Sequence, residues 1–203
     1  MAGILIEGVT GSGKTQTLRA LKHHREFSDL LGSGRVFDEE ETFGEFMSEI
    51  QEQGIPVQYH LRRLEHVLTL LERKSGSAEK PVGFVLERFH LSYYALLPDW
   101  DLYAAFDERL ARLNCRIVLL RIPEPDISLR CLDREDRAGT TWSDDMISHF
   151  GSRPAVLDAI VQSTRRRSEA ARKSRLPTLE IDTGARSWEV YADQVVEAWH
   201  VMK

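Results

Sequence analysis

The sequence predicts an α/β fold with a largely parallel sheet, and three observations predict it. Short β-rich runs alternate with stretches of helical period. The runs are apolar almost throughout, as strands covered on both faces must be. The first of them passes directly into a glycine-rich turn followed by helix-forming residues. Five strands are expected, taken in order: Gly3 to Glu7 (GILIE), Arg35 to Asp38 (RVFD), Val82 to Glu87 (VGFVLE), Cys115 to Ile122 (CRIVLLRI) and Thr178 to Asp182 (TLEID). Between them Leu61, Leu64, Leu68 and Leu71 recur at steps of three and four, and so do Trp188, Tyr191, Val195 and Trp199. That spacing predicts two amphipathic helices with their apolar stripes turned to the core. Gly32-Ser33-Gly34, Lys74 to Pro81 and Gly151 to Pro154 punctuate the pattern as short connections.

The chain has 203 residues, which suits one domain with a full core, and no internal repeat or low-complexity tract divides it. Hydrophobic residues make up 42% and charged residues 29%, and no apolar run is long enough to span a bilayer. Lys and Arg number 27 against 32 Asp and Glu, so the net charge of -5 argues against nucleic acid and for a small-molecule partner. The two cysteines, Cys115 and Cys131, form no CxxC pair, which fits a reducing compartment and not a zinc cluster. With no signal-like segment at MAGILIEG, the expectation is a cytoplasmic protein. Two charge clusters, Asp38 to Glu41 and the basic residues Arg165, Arg166, Arg167, Arg172, Lys173 and Arg175, read most simply as solvated faces.

Chemistry enters after the first strand. Gly8-Val9-Thr10-Gly11-Ser12-Gly13-Lys14-Thr15 satisfies G-x-x-x-x-G-K-[ST] at every fixed position, and Gln16 to His24 can form the helix that must follow. Small residues let successive N–H groups turn inward on a phosphate while the helix presents its positive end. Gly8, Thr10, Gly11, Ser12 and Gly13 are therefore assigned to the phosphate cradle. Lys14 is expected to reach the β- and γ-phosphates, and the Thr15 hydroxyl to ligate a bridging Mg²⁺.

The remaining candidates come in pieces. Glu87 and Arg88 end the third strand, at the edge where a parallel sheet collects its ligand, so a metal-linked carboxylate and a charge-neutralising guanidinium would lie near the phosphate turn. A surface ion pair is the bland alternative. Arg130, Arg134 and Arg137 fall at i, i+4 and i+7 and would share one face of a continuous helix. They are expected to form a lid over residues 130–144 that closes on a triphosphate, with Ala138 to Thr141 as its hinge. Asp126 and Asp133, each four residues earlier, could instead engage Arg130 and Arg137 in ion pairs.

Taken together, Ile6-Glu7-Gly8 to Thr15, Glu87-Arg88 with Ser92 four residues beyond, and Arg121 to Arg130 leading into spaced arginines resemble the thymidylate kinase and deoxyribonucleoside kinase superfamily of P-loop kinases. The resemblance covers nearly the whole chain. It implies a three-layer sandwich on a five-stranded parallel sheet of order 2-3-1-4-5, ATP as donor with Mg²⁺, and a lid of arginines after strand four. Glu87-Arg88 is similar to the D-R or E-R pair ending strand three there, which implies that Glu87 helps hold the metal and Arg88 meets the phosphoryl group or acceptor. Arg63-Leu64-Glu65-His66-Val67 is similar to the R-A-Q-H-V of the helix lining the acceptor pocket, which implies a substrate contact for Arg63. Gln58 and Tyr59 begin that helix and could hydrogen-bond or stack on a base. Strand two departs from the pattern: Asp38-Glu39-Glu40-Glu41-Thr42-Phe43-Gly44-Glu45 replaces the E-P element and has no proline. Glu39, or else Glu40, is left to take a proton from an acceptor hydroxyl.

The expected protein is an ATP- and Mg²⁺-dependent kinase acting on a nucleoside or nucleoside monophosphate, with Lys14, Arg88, Glu39 and Arg134 as its catalytic groups. The resemblance also implies a possible homodimer. Two alternatives stay open: the same donor site with a non-nucleoside acceptor, and a nucleotide-binding regulatory module presenting the basic segment Arg165 to Arg175.

Overall fold

The computed structural model describes residues 2–42, 57–77, 82–134 and 140–201. Strand β1 (Ala2–Glu7) leads to helix α1 (Lys14–His23) and a short α2 (Phe27–Leu31). Strand β2 (Arg35–Phe37) and the single turn α3 (Glu39–Thr42) come next, then the long α4 (Val57–Ser77). Strand β3 (Gly83–Glu87) precedes α5 (His90–Leu96) and α6 (Ala104–Arg112). After β4 (Cys115–Arg121) the chain makes a π-helical turn at Ser128–Leu132. Helices α7 (Trp142–Phe150) and α8 (Arg153–Lys173), strand β5 (Thr178–Asp182) and α9 (Trp188–His200) complete the described chain.

The five strands form one sheet of order β2-β3-β1-β4-β5, and every pairing is parallel. This is the predicted fold class and order, with strand ends within one residue of expectation. Val82 bridges Gly32 in antiparallel sense and so leaves β3, while Asp38 turns its carboxylate to the Glu41 amide at 3.1 Å and starts α3 in place of extending β2.

Side chains of the inner strands alternate between two cores, as period-2 geometry requires. Leu5, Phe84, Leu86, Ile117 and Leu119 face one layer, where Leu64, Val67, Leu68 and Leu71 of α4, Tyr93 and Tyr94 of α5, Leu110 of α6 and Ala170 of α8 cover them. Ile4, Ile6, Val85, Val118 and Leu120 face the other, under Leu18 and Leu21 of α1 and Tyr191, Val195 and Trp199 of α9. Both predicted leucine and aromatic stripes are thus core packing. The edge strands β2 and β5 are partly exposed, so apolar character on both faces holds only for the inner three.

A third cluster sits beyond the carboxyl ends of the strands. Val9, Ile122, Ile127, Cys131, Leu132, Val156 and Ile160 pack together and press the π-helical turn against the loop after β1. Ser152 starts α8 by accepting the Ala155 amide at 3.3 Å, and Gly151, with φ of 82°, ends α7 one residue earlier. Among the described residues no helix is long and apolar enough to cross a membrane.

Candidate functional site

The crevice lies where β1 ends, since its crossovers pass to opposite sides: β3 pairs on one edge and β4 on the other. Gly13 occupies the N-cap of α1 in the left-handed region, with φ of 90°, and no side chain among the described residues caps the helix. A Cβ there would come within 2.3 Å of the Trp188 ring. Gly11, a variable position of the motif, is equally constrained: its φ is 75° and a Cβ would meet the Arg130 carbonyl at 2.2 Å. Loop amides and the first turn of α1 therefore present a concave, positive surface.

Lys14 folds back into this loop. Its Nζ donates to the carbonyls of Gly8 and Val9, each at 3.2 Å, and the side chain is buried. Burial, reinforced by the Arg88 charge, pulls its ammonium down to about 7, against the opposing pull of Glu39 and Glu87. Thr15 is exposed on the first helical turn, Ser12 is buried with Oγ unpartnered among the described residues, and the Thr10 carbonyl accepts the Cys131 thiol at 3.1 Å.

β3 brings the next groups. Glu87 is buried at the strand end, and its Oε1 has no hydrogen-bond partner among the described residues. Burial pushes its carboxyl up, and Lys14 opposes that push while Glu39 adds to it. Arg88 is held at φ of 57°, a conformation that costs a non-glycine residue roughly 1 kcal/mol or more. Its Nε lies 3.1 Å from Oε2 of Glu39, the first residue of α3. Within that acidic cluster Glu39 pairs with Arg88, Glu41 pairs with Arg35, and Glu40 is exposed with its carbonyl taken by Arg63.

Arg63 and Tyr59 meet through a 3.4 Å hydrogen bond and, with Phe37, Glu41 and His66, line a cavity of about 540 Å³ between β2 and α4. Gln58 is exposed outside it, its carbonyl accepting from Arg62.

Arg130 and Arg134 do not lie on one continuous helix, because the π-helical turn ends at Leu132. Arg130 is buried, donating to the Thr183 carbonyl at 2.7 Å and to the Gly11 carbonyl at 3.0 Å, so it ties the loop after β1 to the segment after β5. Arg134 follows the turn, half-buried, and Arg137 lies outside the described residues, as do Phe43, Gly44 and Glu45. Asp133 engages Arg153 at 2.5 Å.

Two residues escaped the sequence reading. Glu7 is fully buried and Arg167 is 4% exposed, and they pair across 3.6 Å. The basic cluster is accordingly not one solvated face: Arg167 is inside it, Arg165 and Arg175 pair with Glu124 and Glu108, and Lys173 pairs with Glu169. A signal existed, since Val156, Ile160, Arg167, Ala170 and Ala171 fall at helical spacing and mark one buried stripe of α8.

No family model matches the chain, and no curated protein is similar to it. Solved structures are. YorR of Bacillus subtilis, solved with phosphorylated GDP, superposes with a TM-score of 0.61 at 12% identity, over 98% of this chain and 96% of that one. The chain has the fold of the P-loop kinases. Among these kinases a sugar kinase from Janibacter gives 0.60 at 12% identity, over 100% and 95% of the two chains. Thymidylate kinase of Candida albicans gives 0.55 at 16% identity, over 98% and 91%.

The residues fit the groups such a kinase uses. The cradle, the helix end and Lys14 suit a polyphosphate. Glu87 Oε1 and the Thr15 hydroxyl suit a divalent cation that takes its other ligands from phosphate and water, as Mg²⁺ does. Among the described residues no group of three or more His, Cys, Asp and Glu could hold a metal without such help.

Proposed function

We propose that this protein is an ATP- and Mg²⁺-dependent phosphotransferase whose acceptor is a nucleoside or nucleoside monophosphate. One observation carries the reading: a buried ammonium with its pKa lowered and a buried carboxylate oxygen with no hydrogen-bond partner among the described residues share a crevice with a helix N-terminus and an arginine–carboxylate pair. The loop 8–13 and Lys14 would hold the β- and γ-phosphates, with Thr15 and Glu87 placing Mg²⁺, which supplies charge neutralisation on the phosphate oxygens. An acceptor oxygen attacks the γ-phosphorus, the bond to the β-phosphate oxygen breaks, and ADP leaves. With a hydroxyl acceptor its proton passes to Glu39. Arg88 would meet the transferring group, and Arg130, Arg134 and Arg137 would help cover the donor. Tyr59 and Arg63 would be the acceptor-side contacts from within the cavity, and Gln58 would reach the acceptor from its exposed position outside it.

The test is ADP release from the purified protein with Mg·ATP and a panel of nucleosides, nucleoside monophosphates and other hydroxyl compounds. Stimulation by a nucleoside or nucleotide, lost in Lys14→Ala, is the expected result. A second reading keeps the donor and changes the acceptor to a sugar or another hydroxyl compound. It is favoured by the strand-two segment, where α3 and Glu41 stand in place of a proline turn beside the cavity. Stimulation by such compounds alone selects it, and no stimulation by any acceptor overturns both.

A further inference from the structure

Arg88 stands in a left-handed conformation that is costly for a residue with a Cβ, so contacts around it must offset the strain. Its own amide continues the sheet, donating to the Ile6 carbonyl at 2.9 Å. The next amide, of Phe89, donates to Glu7 Oε1 at 2.8 Å, and the Ser92 amide reaches the same oxygen at 3.1 Å. Glu7 Oε2 accepts the Ser92 hydroxyl at 2.6 Å. The carboxylate that immediately precedes the loop therefore grips the chain just after Arg88, at the start of α5.

Arg167 completes the arrangement from a different layer. Its Nε stands 3.6 Å from Glu7 Oε2, its Nη2 donates to Ser92 Oγ at 3.2 Å, and its Nη1 donates to the carbonyl and hydroxyl of Ser163 on its own helix. A planar guanidinium can serve these acceptors together, whereas an ammonium cannot span them. Glu7, Ser92 and Arg167 are all nearly or fully buried, so the contacts are shielded from water. Burial lowers the Arg167 pKa to about 10 against the pull of Glu7, which leaves the guanidinium charged at neutral pH.

We propose that Glu7, Ser92 and Arg167 form a clamp that positions Arg88 toward the crevice, coupling α8 and the end of β1 to the phosphoryl-transfer geometry. All three are buried and act through Arg88. They are positioning residues, and the proposal rests on the kinase reading for its effect on turnover, not for its effect on the Arg88 turn.

The test uses Ser92→Ala, which removes the bridging hydroxyl, and Arg167→Lys, which keeps the charge and loses the fork. Amide hydrogen exchange is read residue by residue. The clamp predicts exchange faster by about tenfold or more at Phe89 and Ser92, with α4 and α9 unchanged. In turnover, both variants lose about 10²-fold in kcat while the affinity for Mg·ATP stays within about twofold. In an Arg88→Met background the Ser92→Ala change costs no further kcat, because the residue it acts through is gone. An equal loss in both backgrounds, or exchange that rises evenly through the fold, overturns the clamp. If Arg167→Lys does not fold, Ser92→Ala alone decides, since it leaves the buried ion pair in place. If the parent protein shows no acceptor-stimulated turnover, the kinase reading fails, and the exchange pattern by itself accepts or rejects the clamp.

Discussion

Replacing Lys14 with methionine is expected to stabilise the ligand-free protein while removing its response to nucleotide. The ammonium falls from 10.5 to about 7 on folding, chiefly through burial. The unfolded chain therefore binds more protons than the folded one between about pH 7 and 10.5, and stability rises with pH across that window. At about pH 7.5, and ~1.36 kcal/mol per unit, the group disfavours folding by about 4 kcal/mol. Methionine escapes that cost but loses the two hydrogen bonds to the Gly8 and Val9 carbonyls, about 1 kcal/mol each, leaving a net gain of about 2 kcal/mol. For a chain of this size that is about 4–8 °C in Tm. The assay is thermal unfolding of parent and variant from about pH 6 to 10, with and without Mg·ATP. The advantage of Lys14→Met should be full below about pH 7 and fade toward pH 10, and only the parent should gain Tm from Mg·ATP. A variant less stable than the parent at every pH, or a difference that does not change with pH, refutes the electrostatic account of the loop.

Four further outcomes follow from the same geometry. Above pH 7, binding of Mg·ATP should take up close to one proton as Lys14 recharges, measured by calorimetry in two buffers of different ionisation enthalpy; no buffer dependence counts against it. Glu39→Gln should lower kcat for a hydroxyl acceptor by about 10²-fold or more and leave Mg·ATP affinity unchanged; an unchanged kcat removes Glu39 as base. Arg130→Met, which orphans the Gly11 and Thr183 carbonyls, should cost about 1–3 kcal/mol in denaturant unfolding and weaken Mg·ATP binding; a stable variant with parental affinity contradicts the tie. Burial pushes the Asp107 carboxyl up, but hydrogen bonds from His90, Ser174 and the Arg175 amide outweigh it and hold the group below its ordinary value. Its contribution is present above the unfolded value and lost as pH falls through the folded one, so Asp107→Asn should flatten the acid limb of the stability curve, read by denaturant midpoints below about pH 4.

Legibility in the sequence tracked how local each determinant is. The glycine turn into α1 was readable because its glycines and Lys14 act within eight residues, and the inner strands because burial on both faces forces continuous apolar runs. Glu39 was separable from Glu40 and Glu41 only by α3, whose turn sends one carboxylate to Arg88 and another to Arg35. Helical spacing from Arg130 to Arg134 fails because the turn between them widens to π pitch and then stops at Leu132. Arg130 consequently faces inward, onto carbonyls of the loop and of Thr183. Glu7 and Arg167 were invisible for a different reason: their partner lies 160 residues away in sequence, and a charge in a basic run looks solvated until the opposite charge is placed.

The opposing shifts at Lys14 and Glu87 carry a consequence for how such a site stays ready. Each group is held by burial away from its preferred protonation state, the ammonium downward and the carboxyl upward. Their mutual attraction does not cancel the shifts, because burial is the largest cause at both groups and outweighs the opposing charges around them. A neutral ligand relieves neither. A polyphosphate relieves the ammonium and a divalent cation relieves the carboxylate, and each makes the other's site more favourable, so the two are expected to bind cooperatively. Arg88 can take part only if its turn stays fixed while those charges redistribute, and the buried grip of Glu7 on the Phe89 and Ser92 amides meets that requirement without placing another charge in the crevice.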